Sequence, residues 1–192
     1  MSERKAHATE TWAVLDLSTR DRNRITDFLT NDWGVSMDKV VRHMHLTAYH
    51  AREPMPGVAS LREPAHVVLP AGDTRFMVMA PGGENPREEL DPGRRKVGVR
   101  VHRQSPCFAE IMSFRERLLS FETLDVLGSR KPSSHTSNAF GARHFQAHMS
   151  LLLAGSGVPR DLSPLGASFR EAFGEFIFDQ FRVTVRQTGR GR

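Results

Sequence analysis

Two short stretches constrain this chain more than anything else in it. One is Arg42-His43-Met44-His45-Leu46-Thr47-Ala48-Tyr49; the other is Phe145-Gln146-Ala147-His148-Met149-Ser150-Leu151-Leu152. In each, a histidine and a hydroxyl residue two positions apart are interleaved with apolar side chains. On a β-strand, successive side chains point to opposite faces. His45 and Thr47 then share one face, with Met44, Leu46 and Ala48 behind them. His148 and Ser150 share another, backed by Ala147, Met149 and Leu151. A strand of this kind needs a core on one side and an open surface on the other.

The flanking sequence supplies the rest of such a fold. Trp12–Leu17 reads as a buried strand. Thr19–Trp33 follows as a helix whose apolar stripe is Ile25, Phe28, Leu29 and Trp33, with Ser18 or Thr19 as cap and Asn31-Asp32-Trp33-Gly34 as stop. Val40–His50 is the first histidine strand. A Pro- and Gly-rich loop covers residues 51–64. Ala65–Leu69 and Arg75–Ala80 suggest a hairpin about Pro-Ala-Gly-Asp. Residues 81–95 form a long loop of Gly, Pro and charge. Lys96–His102 alternates, with Val97, Val99 and Val101 inward and Lys96, Arg100 and His102 outward. Ser105 and Pro106 open a second helix as cap and first residue, with Phe108, Ile111, Met112, Arg115, Leu118 and Leu119 on one face. Residues 128–139 are a polar loop. Arg143–Leu153 is the second histidine strand, Asp161–Phe173 a short helix, and Glu175–Arg186 a closing strand.

Single helices interspersed among more numerous strands define an α+β class. Each half carries a strand, a helix and a histidine strand. This predicts two pseudo-symmetric lobes with mainly antiparallel sheets, helices on the outer faces, and a central groove where His45 and His148 meet. The expected domain is a single unit over residues 11–187, with flexible tails at 1–10 and 188–192. At 192 residues the chain can bury a substantial core.

The bulk properties narrow the function classes. The formal net charge is +5, which permits an anionic ligand and equally suits a plain soluble domain. Cys107 is the sole cysteine, which excludes an intramolecular disulfide and a cysteine zinc cluster; a structural role fits it better than an activated thiol. Residues 1–10 lack an apolar signal core, and no stretch approaches the ~20 apolar residues that span a bilayer. The expectation is a cytoplasmic protein with no membrane contact, a monomer.

Two imidazoles and two hydroxyls on one groove suit acid–base chemistry at a phosphate. An imidazole with a pKa near about 6.5 takes or gives a proton at neutral pH. Hydroxyls donate hydrogen bonds to non-bridging oxygens as charge builds on them. The expected catalytic set is His45, Thr47, His148 and Ser150, with the division into acid and base left open. The expected substrate-binding set is His43, Tyr49, Gln146 and Arg100. Gln146 and His144 fall on the face of His148, and Gln146 takes the place that His43 takes beside His45. Tyr49 continues the His45–Thr47 face, as a base-stacking ring or as packing. Arg100 and His102 are either phosphate contacts or solvated charge. A zinc site of His43, His45 and His50 is disfavoured, because His50 faces the other way and no Asp, Glu or Cys adjoins them. No metal and no cofactor are expected.

His45-Leu46-Thr47 and His148-Met149-Ser150 resemble the paired His-x-Thr/Ser motifs of the two-histidine phosphoesterase superfamily, which includes LigT-like 2'-5' RNA ligases and cyclic phosphodiesterases. Phe145-Gln146-Ala147-His148-Met149-Ser150-Leu151 resembles that family's Phe-x-Pro-His-x-Thr-Leu, with alanine in place of the frequent proline and serine in place of threonine. The family also ends in a strand, as this chain does at Phe176–Val185. The resemblance spans residues 11–187. It implies a metal-independent phosphodiesterase acting on a nucleotide or RNA: a 2',3'-cyclic phosphate, a 2'-5' linkage or a cyclic oligonucleotide, in a role such as RNA processing. The alternatives are a non-catalytic protein that sequesters a nucleotide or RNA, and an interaction protein using the 81–95 and 128–139 loops.

Overall fold

The computed structural model describes residues 8–51, 58–79, 95–122 and 145–188. The described residues start with β1 (Ala8–Leu17), α1 (Thr19–Asp27) and β2 (His45–Ala51). The Ser18 hydroxyl caps α1 by accepting from the Asp21 amide at 3.2 Å. The helix widens into a π turn over Phe28–Asp32 and stops at Gly34, whose φ of +62° lies in the left-handed region that glycine tolerates. The predicted helix over Thr19–Trp33 is therefore a nine-residue α-helix plus that turn. Asp21 is buried, and its Oδ2 accepts from the Ile177 amide at 2.7 Å, which fastens α1 to the last strand.

Next come β3 (Leu61–Pro70), β4 (Thr74–Met79), β5 (Lys96–Val101) and α2 (Pro106–Glu122). The described residues end with β6 (His148–Leu152), α3 (Ser163–Ala172) and β7 (Glu175–Thr188). One antiparallel sheet has the order β2-β1-β7-β3 and the other β4-β5-β6. The expected α+β architecture of two sheets in two lobes is what forms. The likeness of the halves is concrete: β1-α1-β2 and β5-α2-β6 are each a strand, a helix and a histidine strand paired back onto the first.

The expected hairpin between Ala65–Leu69 and Arg75–Ala80 does not form. β3 pairs with β7 in the first sheet, and β4 with β5 in the second. Ala71–Asp73 is a 3-10 turn that hands the chain from one sheet to the other. The Thr74 hydroxyl donates to the Ala71 carbonyl at 2.7 Å, and the Ala71 amide donates to the Gly174 carbonyl at 3.0 Å. Those bonds spend the turn's polar groups on a crossover. Ser105 does not cap α2 with its side chain: the hydroxyl is buried and makes no hydrogen bond among the described residues. Of the expected loop over 51–64, residues 52–57 lie outside the described residues, but Leu61–Pro64 belong to β3 and pair with β7, so the strand begins before the proline expected to exclude it. Residues 81–94 of the expected 81–95 loop, the 128–139 loop, and Arg143 and His144 also lie outside the described residues.

A single apolar core runs through both sheets. Phe169 of α3 touches the rings of Phe28, Phe76, Phe173 and Phe176, so it binds the π turn after α1, β4 and β7 together. Burying one such ring contributes about 1.5–3 kcal/mol. Although α2 comes from the second half of the chain, it packs on β2 and β3 of the first sheet. Its Phe114 lies against Phe181, with centroids 4.2 Å apart.

The seam between the sheets positions the site. β2 and β6 are each the last strand of their sheet. Residues 39–41 bridge them: the Val41 amide donates to the Leu151 carbonyl at 2.8 Å, and the Leu153 amide donates to the Lys39 carbonyl at 2.7 Å. Both histidine strands therefore flank one groove.

Candidate active site

The alternation read from the sequence holds where it matters most. Met44, Leu46 and Ala48 are buried behind His45 and Thr47; Ala147, Met149 and Leu151 are buried behind His148 and Ser150. His45, Thr47, His148 and Ser150 line one cavity of about 300 Å³. The strands are shorter than expected: regular pairing of β2 begins at His45 and of β6 at His148, so each histidine opens its strand.

The two imidazoles are held in the same way. His45 Nδ1 lies 2.9 Å from the His43 carbonyl oxygen, and His148 Nδ1 lies 2.8 Å from the Gln146 carbonyl oxygen. A carbonyl only accepts, so each Nδ1 carries the proton and donates. Nε2 is then the basic nitrogen of each ring. The equivalence of His43 and Gln146 seen in the sequence is thus an equivalence of their carbonyls. His43 also lines the cavity; Gln146 does not.

Burial pushes the His45 pKa below its ordinary value. The hydrogen bond to His43 and the nearby Asp16 carboxylate oppose this; Arg182 and His148 reinforce it. Asp16 is the cross-strand partner of His45. Its carboxylate takes a two-pronged grip from Arg182, with Nε to Oδ2 at 2.7 Å and a second guanidinium nitrogen to Oδ1 at 2.8 Å. That hydrogen bonding raises the Arg182 pKa further. At neutral pH His45 is therefore an uncharged base.

Besides Gln146, two more expected binding residues, Tyr49 and Arg100, sit elsewhere. Tyr49 is fully buried, under Arg115 of α2. The cause is a β-bulge: Val14 pairs with Thr47 and Ala13 with Tyr49, leaving Ala48 as the extra residue. Alternation flips there, so Tyr49 turns to the core. His50 turns to the groove side instead, where it stacks on Trp12 at 3.8 Å and its Nε2 donates to Glu10 Oε1 at 2.7 Å. Arg115 donates to the Ala48 carbonyl at 2.9 Å and lies over the Phe145 ring, so it links the bulge to the approach of the second histidine strand. Arg100 pairs with His148 across β5 and β6 and is half-buried, but it does not line the cavity; His102 is exposed and does not line it either.

The cavity has walls that the sequence reading did not assign: Trp12, Val41, Lys96 and Leu153. Strand parity was a usable signal for Lys96, which leaves β5 on the face opposite Val97. It was usable for Trp12 too, since Trp12 and Asp16 share a face of β1. Val41 and Leu153 lie at the seam, which only the tertiary structure makes.

His43, His45 and His50 do not converge, because His50 is turned onto Trp12 and Glu10. Among the described residues no group of three or more His, Cys, Asp or Glu side chains is arranged to hold a metal ion. Cys107 is buried at the start of α2, and burial pushes its thiol up to about 12, so it is inert as a nucleophile. No helix among the described residues is long and apolar enough to cross a membrane. The chain matches no protein-family model and no curated protein.

Proposed function

We propose that this protein is a metal-independent phosphodiesterase of the two-histidine type, acting on a nucleotide or RNA phosphodiester. The observation that carries the reading is the paired geometry. Two imidazoles, each with Nδ1–H tied to the carbonyl two residues earlier, line one cavity beside two hydroxyls.

With a 2',3'-cyclic phosphate as substrate, His45 Nε2 removes a proton from water as the water oxygen attacks phosphorus. The new P–O bond forms as the bond from phosphorus to one ribose oxygen breaks. That oxygen takes a proton from Nε2 of protonated His148. Thr47 and Ser150 donate hydrogen bonds to the non-bridging oxygens, where charge accumulates. The Lys96 ammonium in the cavity wall offsets the same charge. His45 is assigned as base because its lowered pKa keeps it uncharged and ready to accept. With the 5'-hydroxyl of a second strand in place of water, the same proton transfers form a P–O bond to that hydroxyl as the bond to one ribose oxygen breaks, so the site suits ligation as well as hydrolysis.

The test is product analysis on a panel of 2',3'-cyclic nucleotides, 2'-5' oligoadenylate and cyclic dinucleotides, with and without EDTA. Turnover that survives EDTA and disappears in both His45→Ala and His148→Ala is expected. Full activity in either variant overturns the proposal, and complete loss on chelation replaces it with a metal mechanism. Tight binding without product from any substrate favours the sequestering alternative.

A further inference from the structure

The catalytic cavity does not stand alone. On one side it shares Val41 and His43 with a cavity of about 350 Å³ that Arg22, Thr26, Met37 and Arg42 also line. On the other it shares Trp12 and His45 with a cavity of about 160 Å³ lined further by Val14, Arg182, Thr184 and Arg186. The two flanking cavities have no wall in common, so the three lie in series with the histidine pair in the middle. Among the described residues no carboxylate lines any of them. Each carries cations: Arg22 and Arg42, then Lys96, then Arg182 and Arg186. The Asp16 carboxylate offsets Arg182, which leaves Arg186 as the main positive charge of its flank.

Trp12 forms the wall between the centre and the Arg186 side. His50 covers one face of its ring at 3.8 Å, and Glu10 holds His50 in turn. The indole is fixed before any ligand arrives. A positively charged channel interrupted by a fixed aromatic ring is the arrangement that binds single-stranded nucleic acid, with phosphates on the cations and a base on the ring. A mononucleotide needs only the central cavity.

We propose that the Arg22–Arg42 and Arg182–Arg186 cavities are phosphate subsites on either side of the catalytic centre, and that the substrate is a single-stranded oligonucleotide with phosphates on both sides of the reacting one. This rests on the phosphodiesterase reading of the central cavity, but its test does not require turnover.

Binding of 2'-O-methyl mono-, tri- and pentanucleotides is measured by fluorescence anisotropy over a range of salt concentrations. These probes lack the 2'-hydroxyl, so affinity is read separately from chemistry. Affinity is expected to rise about tenfold or more from mono- to pentanucleotide. Arg42→Gln and Arg186→Gln should each weaken the pentanucleotide several-fold more than the mononucleotide. Each should also reduce the slope of log affinity against log salt by about 0.7, the value for one single-strand phosphate contact. Arg103→Gln, an exposed arginine that lines none of the three cavities, serves as the control for diffuse surface charge. Equal affinity for mono- and pentanucleotide overturns the proposal, as does an Arg103→Gln loss matching the other two. Length-dependent binding with no hydrolysis of any substrate leaves the subsites standing and removes the enzyme. Hydrolysis of cyclic mononucleotides with no length effect does the reverse.

Discussion

The two histidine strands use the same device and differ in what surrounds it. In β2 and in β6 the histidine opens the strand, its Nδ1–H donates to the carbonyl two residues back, and a hydroxyl follows two residues on. Around His45 lie burial, the Asp16–Arg182 pair and a bulge at Ala48. Around His148 lies the glycine of β5. Gly98 faces Ser150, and a Cβ there would meet the Met149 carbonyl oxygen at 2.1 Å and Ser150 Cα at 2.9 Å. One strand is tuned electrostatically and the other by close backbone approach. In the proposed mechanism, equal geometry with unequal surroundings is what separates a base from an acid on a nearly symmetric scaffold.

The largest effect should come from breaking both halves of the symmetry in turn. His45→Ala and His148→Ala should each lower kcat by about 10²–10⁴ on the best substrate of the panel, with an unchanged far-UV CD spectrum and a cooperative melt. A loss in only one of them would leave a single working histidine and end the comparison. The hydroxyls come next. Thr47→Val and Ser150→Ala should each cost about 10²–10³ in kcat, read against KM to separate transition-state stabilisation from binding.

Gly98→Ala acts within the second sheet, on β6 and on Met79 of β4. It should destabilise the fold by about 1–3 kcal/mol through overpacking, measured by urea denaturation, and lower activity by displacing Ser150. A neutral result would show that β5 and β6 separate without cost.

The pH dependence acts on the β2 side. The proposed mechanism requires uncharged His45, so kcat/KM should fall on the acid side with a midpoint below about 6.5, the unperturbed imidazole value. Asp16→Asn removes the carboxylate that favours the charged ring and frees the Arg182 charge that opposes it. Both effects lower the His45 pKa, so the acid limb should move to lower pH. A limb that moves up would show that His45 is not the group titrating. The smallest effect is on stability. The folded pKa of His45 lies below the unfolded one, so the unfolded chain binds the extra proton. Its contribution is complete above the unfolded value and is lost as pH falls toward the folded one. Melts of wild type and His45→Gln across that window should converge at higher pH and part at lower pH.

The alternation of His45-Leu46-Thr47 and His148-Met149-Ser150 was enough to assign faces, because burial of every second residue is a local pattern that a strand must obey. The same holds for the Ser18 cap, the Gly34 stop and the doubled strand-helix-strand order. Local pattern failed at Tyr49, because a bulge is set by the partner strand. It failed at Pro70–Asp73, because turn residues alone do not reveal whether a chain doubles back or crosses to another sheet. Arg115 reads as one cation on an apolar helix face; only the packing of α2 on the first sheet gives it the Ala48 carbonyl and the Phe145 ring.

What the sequence determined by itself is therefore the open face of each strand: which side chains point together, and which functional groups they carry. What the tertiary structure decided is everything that depends on distance along the chain. Asp16 and Arg182 meet because β1 and β7 pair. His45 and His148 share a cavity because residues 39–41 join the two sheet edges. The physical reason is range. Alternation and capping are fixed by neighbours within a few residues, whereas cavity walls and ion pairs form between elements that only the collapse of a common core brings into contact.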